Sequence, residues 1–157
     1  MRKRLITPIP QDVPSLDESW LNLDGAAVVE VTSEDTDYPA ESALVSGQTR
    51  GWRAADAGAQ TIRLVFDESQ TLKRIALVFE EIEIERTQEF TLRWSPDGGR
   101  SFRDIVRQQW NFSPPNSIRE AEEYRVELSG VNVLELVIVP DISGGAVRAS
   151  LKTLRLS

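Results

Sequence analysis

The chain has 157 residues, a formal net charge of −7 and a sequence pI near 4.7, with neither cysteine nor histidine. That length fits one domain with a real core. Without cysteine there are no disulfides and no thiolate-ligated metal, and without histidine the commonest general base and zinc ligand are gone. The acidic balance also argues against non-specific nucleic-acid binding, which draws its affinity from Lys and Arg displacing counterions.

The first ten residues, Met1 to Pro10, start positive, but two prolines break the segment before any apolar run. The pattern does not fit a secretory signal, and no stretch approaches the roughly 20 apolar residues of a membrane span. A cytoplasmic protein with no membrane partner is the expectation, weakly supported by the lack of cysteine. Pro8, Pro10 and Pro14 keep residues 1–25 out of helix, so this segment is expected to be an irregular arm. Leu16, Trp20, Leu21 and Leu23 would pack it across the main domain, residues 26–157.

From Ala26 onward the apolar residues recur every second position, the period of a strand with one buried face. A first strand is expected at Val28–Thr32 and a helical turn at Ala40–Val45. Ile62, Leu64 and Phe66 form one run, and Ile75, Leu77 and Phe79 the next. Phe90, Leu92 and Trp94 follow. Tyr124, Val126 and Leu128 then precede Leu134, Leu136 and Ile138. Over Val147–Leu156 the phase slips between Leu151 and Leu154, which predicts a bulge. Turn-forming residues punctuate the runs at 67–69, 95–99, 129–130 and 140–145. About eight short strands at this spacing predict an antiparallel β-sandwich or barrel.

Three segments in this order resemble a known family. They are Val29–Glu34 with Pro39–Leu44 and Gly51–Ala55, then Thr61–Phe66 leading into Leu72–Ile75, then Phe90–Gly99 with Phe102. Together they look like the discoidin, coagulation-factor C-type, galactose-binding-like domains. Trp52 to Gly58 followed by Thr61 and Ile62 is most similar to the amino-terminal domain of the single-strand-break repair scaffold. The resemblance implies an all-β, eight-stranded antiparallel jelly-roll β-sandwich and a binding role rather than an enzyme. Ser95–Phe102 also resembles an Asp-box, but a single copy reads as a tight turn.

If the chain reverses at each turn, one end of the sandwich collects the longer loops. Short turns at 97–99 and 129–130 fall at the other end. Rigid scaffolds present function on such loops. The ligand-binding candidates at this end are Tyr38, Arg53, Asp56, Arg86, Trp110, Asn111, Phe112, Asp141 and Arg148. An exposed aromatic beside Asn, Arg and Asp suits a sugar, and equally a stacked base or a protein hot spot. Trp52 and Trp94 sit in the apolar pattern and read as core. Trp110 is either a ligand platform or a plug, and Arg53 either a ligand group or a structural ion pair. Glu80, Glu81, Glu83 and Glu85 read as a solvated face, with a calcium site as the alternative. No Gly-rich phosphate loop and no distinctive carboxylate pair is present, so no catalytic residue and no cofactor is assigned. A saccharide-binding module is the first expectation, an intracellular protein-docking scaffold the second, and damaged-DNA binding, disfavoured by the charge, the third.

Overall fold

The computed structural model describes residues 20–157. Most of the expected arm, Leu16 included, lies outside the described residues. Of the remainder, Leu23 is buried and Leu21 N–H donates to Leu156 O at 2.7 Å. The Arg74 guanidinium lies 3.9 Å from the Trp20 ring centre.

Eight strands follow one short helical turn, α1 (Leu23–Ala26). They are β1 (Ala27–Val31), β2 (Trp52–Ala57), β3 (Gln60–Glu80), β4 (Arg86–Ser95), β5 (Arg103–Phe112), β6 (Arg119–Val139), β7 (Arg148–Leu151) and β8 (Thr153–Leu156). A second helical turn, α2 (Glu41–Leu44), falls where the sequence places it. α1 was not expected from the pattern.

The organising element is a long two-stranded ribbon of β3 and β6. They pair antiparallel over 60–65 against 133–138, and again over 74–80 against 119–125. Between these stretches the register slips three times. The first stretch is widened by β1 on one side and by β4 and then β5 on the other, while the second is widened by β8. β2 and β7 form a separate pair.

The two halves of the ribbon face each other. Phe79, in the second half of β3, meets Phe90 of β4 with ring centres 5.1 Å apart. Ile62, Leu64 and Phe66 share one core with Ile75 and Leu77. The result is an all-β jelly-roll sandwich, made by folding one ribbon over on itself.

This corrects two sequence assignments. Asp67–Ser69 and Ser129–Gly130 are not turns between separate strands. They are the corner of the folded ribbon, with Asp67, Glu68, Ser69 and Gly130 exposed and Gly130 at φ 72°. Conversely, Val147–Leu156 is not one bulged strand. It breaks at Lys152 into β7, which pairs with β2, and β8, which pairs with β3.

Because the ribbon folds back, the assignment of loops to ends survives. The Gly98 N–H reaches Asn132 Oδ1 at 3.2 Å, which places the 97–99 turn beside the corner. Ser101 and Ser95 hydrogen-bond the Asp97 carboxylate and hold it well below its usual range. At the other end the loops bond to one another and to the strand ends. Asp35 N–H donates to Arg53 O at 2.8 Å, Glu81 N–H to Ile118 O at 2.8 Å and Ile142 N–H to Thr87 O at 2.9 Å.

Gly51 sits where this packing is tightest. Its φ is +79°, and a Cβ built there would lie 2.7 Å from Leu151 O. Gly51→Ala is therefore expected to cost about 1–3 kcal/mol or more, read as a lowered urea midpoint. An unchanged midpoint would mean that β2 and β7 can separate freely.

Candidate functional site at the loop end

A cleft of about 260 Å³ opens at the loop end, lined by Tyr38, Arg50, Trp52, Arg53, Glu80–Glu83 and Ser150–Lys152. Tyr38 is carried by the loop after β1, whose backbone closes on itself through the Asp35–Tyr38 bridge. Its half-buried ring lies 5.1 Å from the Arg53 guanidinium and 5.9 Å from that of Arg50. The opposite wall is acidic. Glu80 faces Lys152 at 4.0 Å and Arg119 at 3.7 Å. One Glu81 oxygen accepts the N–H groups of Glu83 and Ile84 at 2.9 and 3.1 Å, which fixes the loop.

Beneath the cleft lies Arg86, the first residue of β4 and 3% exposed. It pairs with Glu81 at 3.2 Å and donates to Arg148 O at 3.0 Å. Burial lowers its pKa; the Glu81 charge opposes this, and the nearby Arg53 reinforces it. Arg148 in turn reaches Asp35 Oδ2 and Ala54 O, both at 3.4 Å. The loop end is thus a network of alternating charge with one aromatic ring on its surface.

Of the residues expected here, Tyr38 and Arg53 line the cleft, and Arg86 and Arg148 brace it from below. Asp141 caps its own turn, accepting the N–H of Ser143 at 3.0 Å. Asp56 is exposed on β2. Three residues do not line the cleft. Trp110, Asn111 and Phe112 are not loop residues, because β5 runs through Phe112. Phe112 is 0% exposed in the core and cannot stack on a ligand. Asn111 is exposed and bonded to Thr87 and Ser113, while Trp110 is half-buried. Trp52 and Trp94 are core, as the alternation requires. Arg50 and Lys152 were missed, since isolated basic residues carry no sequence signal. Among the described residues, no group of three or more acidic side chains is placed to hold a metal, so the glutamate run offers no calcium cage.

A second polar cluster lies inside the sandwich. Gln88 is 0% and Glu120 1% exposed. Among the described residues neither side chain has a hydrogen bond of good geometry, and the Trp110 Nε1 and Tyr124 hydroxyl are also buried without such partners. An unmade buried hydrogen bond costs about 1–3 kcal/mol. Burial, then the Glu122 charge, raises the Glu120 carboxyl to about 7, although the Gln88 carboxamide lies close enough to oppose the shift. Burial and the same two glutamates push Tyr124 up to about 12.

The folded ribbon is that of a galactose-binding-like β-sandwich. Residues 21–91 match the family model described as the XRCC1 N terminal domain. Among solved structures, the chain is similar to a family 32 carbohydrate-binding module of NanJ from C. perfringens in complex with galactose. The identity is 16%, over 83% of this chain and 92% of that one, with a TM-score of 0.56. A pectin-binding carbohydrate-binding module is similar at 16% identity over 84% and 90%, with a TM-score of 0.59. Reduced XRCC1 bound to the DNA pol beta catalytic domain is similar at 16% over 83% and 93%, with a TM-score of 0.56. Identity this low carries the fold and nothing finer. No curated protein matches the sequence. Among the described residues, no helix is long and apolar enough to cross a membrane.

Proposed function

We propose that the protein is a non-catalytic binding module that takes a saccharide in the loop-end cleft. One observation carries this: the Tyr38 ring, the guanidinium groups of Arg50 and Arg53 and the carboxylates of Glu80, Glu81 and Glu83 line one open cleft. A pyranose needs this combination, an apolar face to rest on a ring and fixed donors and acceptors for its hydroxyls. The similarity to carbohydrate-binding modules supports it. Titration calorimetry with galactose, N-acetylgalactosamine and oligogalacturonate is the test. Saturable binding to one of them, weakened roughly tenfold or more by Arg53→Ala or Tyr38→Ala, is expected. Heat signals that ignore both substitutions would remove the cleft from consideration.

A protein partner is the second reading, and a different observation favours it. Ile82, Ile84 and Ile142 are 64%, 47% and 48% exposed on the loops of this end. Exposed apolar side chains on neighbouring loops suit a docking surface, and the similarity to XRCC1 bound to a polymerase agrees with one.

A further inference from the structure

We propose that the loop-end cleft takes its sugar in acidic form, as a hexuronate whose carboxylate sits against the guanidinium groups of Arg50 and Arg53. This rests on the reading of the cleft as a saccharide site and adds the charge class of the ligand. One observation carries it. The two guanidinium groups converge on the Tyr38 ring, at 5.9 and 5.1 Å from its centre, and both residues are exposed. Neither has a carboxylate within salt-bridge distance among the described residues, whereas Arg63, Arg86, Arg93, Arg107, Arg119 and Arg148 each pair with one. The chain carries 25 acidic residues to 18 basic ones, so two neighbouring arginines are not left open for want of carboxylates.

Both arginines are anchored to the loop that carries Tyr38. Arg53 N–H donates to Tyr38 O at 3.1 Å, and its carbonyl accepts the Asp35 N–H at 2.8 Å, so the 35–38 loop and the start of β2 form one unit. Arg50 Nη1 donates to Asp37 O at 3.1 Å. A guanidinium has five N–H donors, so this bond leaves others for a ligand. Donors fixed before binding lose less freedom on binding. The cleft also has room. Its volume of about 260 Å³ lies just below the roughly 300 Å³ at which pockets for larger organic ligands begin, which suits a single sugar unit.

The other charges of the cleft decide which anion fits. Lys152 faces Glu80 at 4.0 Å, and Glu81 pairs with Arg86 at 3.2 Å, so the positive charge open to a ligand lies on the Tyr38 side. The Arg53 charge is felt beneath the cleft as well, where it adds to the burial that lowers the pKa of Arg86. A planar carboxylate accepts paired N–H bonds from a guanidinium. The opposite wall limits the rest of the ligand. Glu80, Glu81 and Glu83 would repel a second negative charge, so a phosphate dianion fits poorly. Sugar hydroxyls donate to carboxylates and fit that wall well. A hexuronate has one acid end and neutral hydroxyl flanks, and so matches both walls.

The test is titration calorimetry of the full chain at low and at high salt. It compares galacturonate with galactose, glucuronate with glucose, and galacturonate with its methyl ester. One uronate is expected to bind roughly tenfold or more tightly than its neutral counterpart. That advantage should shrink at high salt. Arg50→Gln and Arg53→Gln, both at exposed positions, should each cut it several-fold. Galactose 6-phosphate should bind more weakly than galacturonate, and equal or tighter binding overturns the carboxylate assignment. A uronate advantage that survives both substitutions overturns the proposal. So does a neutral hexose that binds as tightly as its acid, but if that binding is weakened by Arg53→Ala the saccharide reading of the cleft stands. If no sugar binds, acidic or neutral, both readings fall together.

Discussion

Changing Arg63 and Arg93 together to methionine should destabilise the protein by about 3–5 kcal/mol, the cost of stranding a buried charge. The charge is Glu135, 1% exposed on the outer face of the larger layer. Its carboxylate is gripped by Arg93 on one side and by Arg63, at 2.6 Å, on the other. The group belongs to one cross-strand row, Glu30, Arg63, Glu135, Arg93 and Asp104, whose charges alternate across five strands. Phe102 covers it, with its ring centre 4.6 Å from the Arg93 guanidinium. Burial alone would raise the Glu135 pKa, but hydrogen bonds from Arg93 and Arg63 and their charges outweigh it and hold the carboxyl below its ordinary value. Stability from this group is therefore present above the unfolded carboxylate value and is lost as pH falls through the lowered one. Adding Glu135→Leu to the double variant should restore most of the loss, because an apolar trio of similar volume needs no desolvation. Urea unfolding of the wild type, double and triple variants decides the matter. A triple variant no more stable than the double would show that packing, not the stranded charge, explains the loss.

Glu120→Gln should act in the opposite direction. Its carboxyl is raised to about 7 in the folded protein from an ordinary value of 4.5, chiefly by burial. The folded state holds this proton more tightly than the unfolded chain does. Stability is thus full below the unfolded value, declines as pH rises through the interval, and levels off above about 7. A shift of this size corresponds to about 3 kcal/mol. The amide variant keeps the shape and removes the ionisation. It should be the more stable protein near pH 8, by about 2–3 kcal/mol, and should show no such advantage near pH 4. Thermal unfolding across that range measures it, and parallel curves for the two proteins would exclude a buried ionisation at Glu120.

Most of the sandwich was legible because alternation is a direct record of which face is buried. The strands at 62–66, 75–79, 90–94 and 134–138 all present the expected face to the core. The ribbon corner was not legible. Asp, Glu, Ser and Gly serve a bend between layers as well as a turn between neighbouring strands, since both need exposed backbone and, at Gly130, a positive φ. Trp110 and Asn111 were drawn into the loop by Pro114 and Pro115, but a proline limits only the residue before it, and β5 runs on to Phe112. The polar cluster inside the sandwich also carries a sequence signal. Tyr124, Val126 and Leu128 set the inward parity of β6, and the same parity continued backward lands on Glu122 and Glu120. Phe90, Leu92 and Trp94 do the same for Gln88 and Arg86. A polar residue at an inward position marks that cluster and the brace beneath the cleft. The cleft itself depends on Tyr38, Arg50 and Lys152, three distant segments that only the folded chain brings together.

The pairing of β3 with β6 also governs how this chain must acquire its structure. Gln60 finds its partner in Ile138, and the strands between them are laid down first. A chain leaving the ribosome carries the 21 residues of β3, with Ile62, Leu64, Phe66, Leu77 and Phe79, long before β6 is complete. Contacts of such high sequence separation make folding slow, because the loop must close before pairing rewards it. The nascent protein therefore passes through a stage in which a long strand with an apolar inner face is synthesised but unpaired. Aggregation during synthesis is the hazard that this topology sets.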